Sequence, residues 1–228
     1  MRYRAIRRYL PGWLLRRLLY FEAAIEDAVA RFASTLPAGA RVLDAGAGEG
    51  RYASCFSQQR YVGVDLGIGE PGWDYSRLDA IADLARLPFN AGAFDACLNV
   101  VTLEHLKEPA CALAEMARVL KPGGRLLLVV PQQWEVHQAP HDYYRFTCHG
   151  VQYLLETAGL QPLEILPVGG FFRLLARRLL NALQFFPGPL WIGVALLVGP
   201  AALLLPALDR LDRDRNFTLG YICTAHKL

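Results

Sequence analysis

Charge is absent where a chain of this size would ordinarily carry it. No Asp, Glu, Lys or Arg occurs from Leu179 to Leu208, and the first twenty residues contain no acid. The first gap excludes an ordinary solvated surface for that stretch, and the second leaves the N-terminus uniformly basic. Cysteine is sparse: Cys55, Cys97, Cys111, Cys148 and Cys223 stand in no metal-binding spacing, and an odd count of five argues against a disulfide framework. No metal site is expected, and a reducing cytosol fits. There is no internal repeat and no low-complexity linker. A secretory signal peptide is not expected either, because Arg16 and Arg17 break the N-terminal apolar run and no small-residue cleavage site follows. The net charge of +3 is modest, so where the charge lies matters more than its sum.

What is present begins at Val42-Leu43-Asp44-Ala45-Gly46-Ala47-Gly48-Glu49-Gly50-Arg51-Tyr52. It reads as a buried strand running into a glycine turn that opens a helix. Glycine at alternate positions lets the backbone approach a ligand closely, because no Cβ intervenes and positive φ is tolerated. The N–H groups opening the helix are expected to face polar groups of that ligand. The spacing is D-x-G-x-G-x-G rather than the G-x-G-x-x-G of dinucleotide sites. Tyr61 to Asp65 reads as a second strand ending in an acid. Such a carboxylate suits two ribose hydroxyls, since it accepts two hydrogen bonds.

Phe94 to Val101 is a short apolar run of strand length. Lys107 to Leu120 places Ala110, Leu113, Ala114, Ala117 and Leu120 at helical spacing, and Lys121-Pro122-Gly123-Gly124 stops that helix. Arg125 to Val130 is a continuous apolar strand, as in a sheet covered on both faces. Alternating helix and strand signals argue an α/β fold with a largely parallel sheet. Thr147 is placed to cap a helix from Cys148 to Ala158 ending at Gly159.

In order along the chain, Asp44 to Gly50, Asp83-Leu84-Ala85-Arg86-Leu87-Pro88-Phe89 with Phe94-Asp95, Leu103-Glu104-His105-Leu106, and Arg118 to Gly124 resemble the motifs of class I S-adenosylmethionine-dependent methyltransferases, type 11 branch. The resemblance covers roughly residues 38–168 and returns at the C-terminus. It implies a Rossmann-like, seven-stranded, mostly parallel sheet with an antiparallel last strand, and S-adenosyl-L-methionine as cofactor. It also implies that Asp44, Gly46, Gly48 and Gly50 hold the amino-acid end of the cofactor and that Asp65 binds the ribose. Leu66 would pack near the adenine, Asp83 would accept from the adenine amino group, and the Leu84 N–H would donate to a ring nitrogen. Asn99 lies where the family contacts the methionine part.

Two segments exceed what such a domain needs. Met1 to Tyr20 interleaves Arg2, Arg4, Arg7, Arg8, Arg16 and Arg17 with Tyr3, Ile6, Tyr9, Leu10, Trp13, Leu14, Leu15, Leu18 and Leu19. That composition suits a helix on an anionic membrane. A nucleic-acid contact or a domain-capping helix would use it too, and no nucleic acid is expected. Gly169 to Asp209 is long and apolar enough for a membrane span. Leu163 to Val168 and Phe217 to Ala225 read, however, as the sixth and seventh strands, so a simple single crossing is excluded. Arg173, Arg177 and Arg178 would snorkel to an interface, Pro187-Gly188-Pro189 would turn the chain, and Pro200 and Pro206 would interrupt the second arm. A helical hairpin dipping into or lying on one leaflet is favoured over an active-site cover or a homodimer interface. Asp209 to Arg215 reads as a solvated helix end with local ion pairs.

Methyl transfer from a sulfonium is an in-line displacement in which the protein supplies alignment, desolvation and, for a hydroxyl acceptor, a base. The loop containing His137 and Pro140-His141-Asp142-Tyr143-Tyr144-Arg145-Phe146-Thr147 resembles one in methyltransferases of surface-glycan and lipid-linked sugar pathways. His141 with Asp142 as its orienting acid is the first base expected and His105 the second, with Tyr143, Tyr144 and Arg145 as substrate contacts. The expected layout is one domain over residues 1–228: an N-terminal basic helical region (1–36), a cofactor-binding core (37–168), an apolar helical insertion (169–216) and a last strand (217–228). The expected activity is O-methylation of a small-molecule, amphiphilic or lipid-linked acceptor, in the cytoplasm at the inner face of the membrane.

Overall fold

The computed structural model describes residues 11–69 and 71–228. The basic residues expected at positions 2, 4, 7 and 8, with Tyr3, Ile6, Tyr9 and Leu10, lie outside the described residues. The chain divides into two compact units: Ile25–Leu166 with Tyr221–Leu228, and Met1–Ala24 with Pro167–Gly220.

The larger unit is built on a sheet of β1 (Arg41–Ala45), β2 (Arg60–Asp65), β3 (Ala80–Ile81), β4 (Phe94–Val100), β5 (Leu120–Pro131), β6 (Leu160–Val168) and β7 (Gly220–Lys227). Their order is β3-β2-β1-β4-β5-β7-β6, and the last strand is antiparallel. The parallel register pairs Asp44 with Gly63 of β2 on one side and with Leu98 of β4 on the other. Strand order therefore reverses between β1 and β4, and the carboxyl ends of these two strands border the crevice where open α/β sheets bind ligands. The strands that build it are apolar without alternation, because both faces are covered: Val42, Leu43, Leu98 and Leu126 to Val130 are buried.

Helix α1 is Gly12–Leu18, α2 Tyr20–Ser34, α3 Pro109–Val119 and α4 Cys148–Thr157. Pro109 sits in the first turn of α3, where no N–H is needed. Ala112, Leu113, Met116 and Ala117 of α3 are buried in the core. Thr147 caps α4 as expected, its Oγ1 accepting from the Gly150 N–H at 3.1 Å. One expected helix is missing. After the glycine turn only a short 3-10 helix forms, Ala53–Phe56. Gly50 is in the left-handed region and β2 begins at Arg60, so the intervening chain is too short for a crossover helix of ordinary length.

Several family-like motif residues turn out to be braces. Glu115 and Arg118 of α3 form a two-point pair at 2.6 and 2.8 Å. The same Glu115 accepts from the Leu87 N–H at 2.8 Å, and Arg118 donates to the Phe89 carbonyl at 2.8 Å. Asp95 accepts from the Arg41 N–H at 2.8 Å and pairs with Lys121. Leu87-Pro88-Phe89 is thereby pinned to α3, which fixes the segment that carries Asp83 and Leu84.

The smaller unit contains α1, α5 (Phe171–Ala182), α6 (Pro189–Leu204) and a 3-10 turn, Leu205–Leu211. The expected helical hairpin is there, turned at Gly188 with φ +62°. Pro200 does not interrupt the second arm. It removes one N–H from α6, and Leu196, whose carbonyl loses that donor, is on the exposed face. The span Pro189–Leu211 is long and apolar enough to cross a membrane by length and composition, and only 11% of its most apolar window is buried.

Charges in this unit are organised internally. Arg17 donates to the Leu203 carbonyl at 2.7 Å. Arg177 pairs with Glu22 at 3.2 Å, and Arg173 stacks on the Tyr20 ring and meets Asp209 at 3.2 Å. Arg215 meets the same Asp209 at 2.8 Å, while Asp212 accepts from the Phe171 N–H at 2.7 Å at the start of α5. The run from Asp209 to Arg215 is thus not merely solvated: Asp209 is buried and holds two arginines. Arg173 and Arg177 are likewise committed to partners instead of reaching outward. We expect Asp209→Ala to cost about 2–3 kcal/mol, because it leaves two guanidiniums without their counter-charge, their 23% and 34% exposure moderating the loss. Hydrogen exchange checks this: amides of Phe171–Ala182 should exchange faster while those of β1 stay protected.

Candidate active site

The end of β1 is where backbone, acid and amide converge. Asp44 is buried, and its Oδ2 accepts from the Tyr61 hydroxyl at 2.6 Å. Its Oδ1 has no hydrogen-bond partner among the described residues. Burial pushes the Asp44 carboxyl up to about 7; the Tyr61 bond opposes the rise and the Asp65 charge adds to it. Asn99, at the end of β4, is fully buried and donates from Nδ2 to the Ala45 carbonyl at 2.6 Å, while its Oδ1 is also unpartnered. Asn99 thus ties β4 to β1 at the strand-order reversal.

Gly46 follows with φ +95°, and a Cβ there would lie 2.3 Å from the Thr102 methyl carbon. Thr102 reaches this spot because its hydroxyl bridges the Gly46 and Val100 carbonyls at 3.2 and 3.1 Å. Asp65 closes the turn from β2, accepting from the Gly48 N–H at 3.0 Å and the Gly67 N–H at 2.8 Å. Each oxygen keeps a further lone pair for a ligand hydroxyl. Leu66 is exposed beside it. Asp83 is exposed and accepts from the Ala85 N–H at 2.9 Å, and Leu84 is buried. Trp73 and Tyr75 complete the wall: the Trp73 ring lies over Gly48 and Gly69, and the Tyr75 hydroxyl accepts from the Gly69 N–H at 2.7 Å. Neither aromatic is singled out by the sequence motifs. A tryptophan and a tyrosine within residues 69–77, otherwise glycine, proline and polar residues, were the available signal.

The loops after β4 and β5 form a second constellation. Arg145 locks its own loop, meeting both oxygens of Asp142 at 2.6 and 2.8 Å and donating to the carbonyls of Trp134, Glu135 and Tyr144. That pairing holds the Asp142 carboxyl down to about 2. Asp142 also accepts from the His137 N–H at 2.9 Å. The acid therefore orients His137 and Arg145, and not His141 as the sequence spacing suggested. The His141 Nδ1 instead lies 3.2 Å from the Tyr143 hydroxyl, and its carbonyl meets His105 Nδ1 at 2.5 Å. Tyr143 and Tyr144 are exposed, and their N–H groups donate to the Glu104 carbonyl at 2.9 and 3.2 Å. Glu104 itself, unremarked in the sequence beyond its motif, is wholly buried, and burial pushes its carboxyl up to about 8. Burial also lowers the His105 pKa.

Residues 43–128 match the family model described as a methyltransferase domain. Over residues 43–128 the chain carries a methyltransferase domain. It is 34% identical over 119 residues to a tRNA (carboxymethyluridine(34)-5-O)-methyltransferase of Arabidopsis thaliana, covering 48% of this chain and 28% of that protein. A ubiquinone biosynthesis O-methyltransferase of Nitrosococcus oceani is 28% identical, over 48% of this chain and 58% of that one. The chain thus spans well under two thirds of these curated relatives. Among solved structures, the [4+2]-cyclase SpnF aligns with TM-score 0.56 and 26% identity over 90% of this chain and 80% of that one. The 1,6-didemethyltoxoflavin-N1-methyltransferase of Burkholderia thailandensis, solved with S-adenosylhomocysteine, aligns with TM-score 0.57 and 22% identity over 90% and 79%.

The methyltransferase domain has groups that fit S-adenosylmethionine. An unpartnered buried carboxylate oxygen beside a glycine-lined turn suits the cationic amino-acid end, and Asp65 with spare lone pairs suits a ribose. Gly46→Ala should cost about 2 kcal/mol or more, since it combines positive φ with the Thr102 overlap. Adding Thr102→Ala should recover part of the loss, because only the overlap is relieved. Urea midpoints of the two variants measure both terms.

Proposed function

We propose that the chain transfers the methyl group of S-adenosylmethionine to an oxygen of an amphiphilic or lipid-linked acceptor at the cytoplasmic face of a membrane. The observation that carries the transferase reading is the pair of buried, unpartnered oxygens, Asp44 Oδ1 and Asn99 Oδ1, beside a turn whose Gly46 admits no side chain. In this reading Asp44 with Gly46, Gly48 and Gly50 holds the amino-acid end of the cofactor, and Asn99 positions the β1 terminus under it. Asp65 takes the ribose hydroxyls, Leu66 borders the adenine, and Asp83 and the Leu84 N–H meet its edge. The cofactor supplies the activated methyl group, so the chain's task is alignment and exclusion of water. His141 is the base for a hydroxyl acceptor. Asp142 is not, because Arg145 occupies both its oxygens. Tyr143 and Tyr144 offer exposed ring faces to the acceptor. Oxygen as the accepting atom is supported by the two relatives named as O-methyltransferases.

The amphiphilic acceptor is supported by α6, where Leu196 and Leu197 are 74% and 78% exposed in a stretch without charge. The committed Arg173 and Arg177 favour a second reading, a soluble acceptor with the apolar helices serving as a cover or a homodimer contact. Flotation with anionic vesicles separates the two. The membrane reading expects Leu196→Glu with Leu197→Glu to abolish co-flotation, and a wild-type protein that never floats removes that reading. A labelled-methyl screen should put label into the lipid fraction. The tRNA fraction belongs in the same screen because relatives are named for tRNA, and label there would replace the lipid acceptor with RNA. A protein that binds cofactor yet labels nothing is a scaffold, or performs other chemistry on this fold.

Cofactor affinity should depend on pH through Asp44. In the free protein its carboxyl is protonated below about 7, and a cationic ligand needs the carboxylate. Tyr61, Asp65, Tyr52 and Cys97 are the titratable groups coupled to it. Calorimetric affinity for S-adenosylmethionine should therefore rise about tenfold from pH 6 to pH 8, and Asp44→Asn should flatten the profile. Stability alone moves oppositely: the folded pKa lies above the unfolded one, so the folded state loses stability as pH rises from about 4 to 7. Asp65→Ala should weaken binding at every pH. A folded wild-type protein that binds no cofactor, and is indistinguishable from Asp65→Ala, would end the transferase reading.

A further inference from the structure

Glu104 and His105 from the loop after β4, and His137 from the loop after β5, form a cluster that the cofactor site does not use. Glu104 is wholly buried, and neither carboxylate oxygen has a hydrogen-bond partner among the described residues. The His105 Nδ1 lies 2.5 Å from the His141 carbonyl. A carbonyl only accepts, so Nδ1 carries the proton and Nε2 presents a lone pair. That Nε2 is also buried and unpartnered. His137 repeats the arrangement, with Nδ1 3.1 Å from the Glu135 carbonyl and 3.4 Å from Asp142 Oδ2. Its Nε2 therefore also faces inward with a lone pair.

The two Nε2 atoms stand 3.8 and 4.0 Å from Glu104 Oε1, too far for hydrogen bonds. One ligand atom from each of the three residues lies within 4.8 Å of the others. The three side chains thus converge on one point with no hydrogen bond among them, an arrangement that is costly unless something occupies the point. Imidazoles whose outer N–H groups are anchored on a carbonyl or carboxylate are also oriented as metal ligands are. The nearby Arg145 cation is neutralised by Asp142.

We propose that Glu104, His105 and His137 bind one divalent first-row transition ion, zinc foremost. Two imidazoles and one carboxylate select such an ion over magnesium or calcium, which take oxygen ligands. An ion about 2.1 Å from each ligand in a tetrahedral set needs ligands about 3.4 Å apart, so the two imidazole–carboxylate pairs close by roughly half an ångström. The His137 side chain is 27% exposed and gives a path inward. Three protein ligands leave positions open for an oxygen of a hydroxyl or carboxylate acceptor. That role deepens the methyltransferase reading and rests on it, but binding of the ion does not. Thr102, packed on Gly46, stands two residues from Glu104 and links the ion site to the cofactor turn along one strand end.

The test uses the full chain, stripped with chelator and titrated with Co2+ and then Zn2+. One equivalent of Co2+ should give visible d–d bands without intense thiolate charge-transfer absorption, and Zn2+ should displace it. His137→Ala and Glu104→Gln should each weaken binding at least about tenfold, while His149→Ala, on the exposed face of α4, should bind as wild type. No stoichiometric uptake, thiolate bands, or equal uptake by both ligand variants overturns the site. If Glu104→Gln fails to give a cooperative thermal transition, His137→Ala on the more exposed loop decides alone. S-adenosylmethionine titrated into the same stripped protein keeps the two readings apart: cofactor binding without metal uptake sinks only the ion site, and metal uptake without cofactor binding sinks only the transferase.

Discussion

The contact between Gly46 and Thr102 is the constraint on which the rest of the site depends. β1 and β4 are neighbours until their carboxyl ends, and there the strand order of the sheet reverses. The chain leaving β1 must turn sharply under the chain leaving β4. It does so at positive φ, with the threonine side chain filling the space where a Cβ would stand. Asn99 fastens the same junction from below through the Ala45 carbonyl. Given that closure, Asp44 is carried out of water and Asp65 is brought within reach of the Gly48 amide.

Two buried acids sit near this junction, and their environments differ. Asp44 has one oxygen bound by the Tyr61 hydroxyl and one without a partner, so a single cationic ligand can satisfy it. Glu104 has neither oxygen bound and two imidazole lone pairs for neighbours. A monovalent ammonium would meet only part of that demand, whereas a divalent ion meets all of it. In the loop from Gln132 to Thr147, which carries His137, Arg145 draws Asp142 and three carbonyls around one guanidinium.

The smaller unit buries some of its charge and exposes apolar surface. Asp209 is buried between Arg173 and Arg215, and Arg177 pairs with Glu22, while Leu196 and Leu197 of α6 face outward. Exposed apolar surface of this kind commonly marks an interaction site.

Much of the larger unit was legible in its sequence, because local rules govern it. The apolar runs of β1, β4 and β5, the glycine turn, the acid ending β2, the stop after α3 and the Thr147 cap each follow from steric or hydrogen-bond preferences of a few adjacent residues. Periodicity and composition likewise placed the hairpin of the insertion. What only the tertiary structure decided depends on groups distant in the chain. The helix after the glycine turn was lost because β2 begins too soon. Asp142 was turned from His141 to His137 because Arg145 fixes its rotamer, and Arg173 and Arg177 were drawn inward by acids far along the sequence. Trp73 reached the glycine turn, and Glu104, His105 and His137 came together, only when strands remote in sequence became neighbours. Burial by distant residues, which no local pattern encodes, is what gives those groups their chemistry.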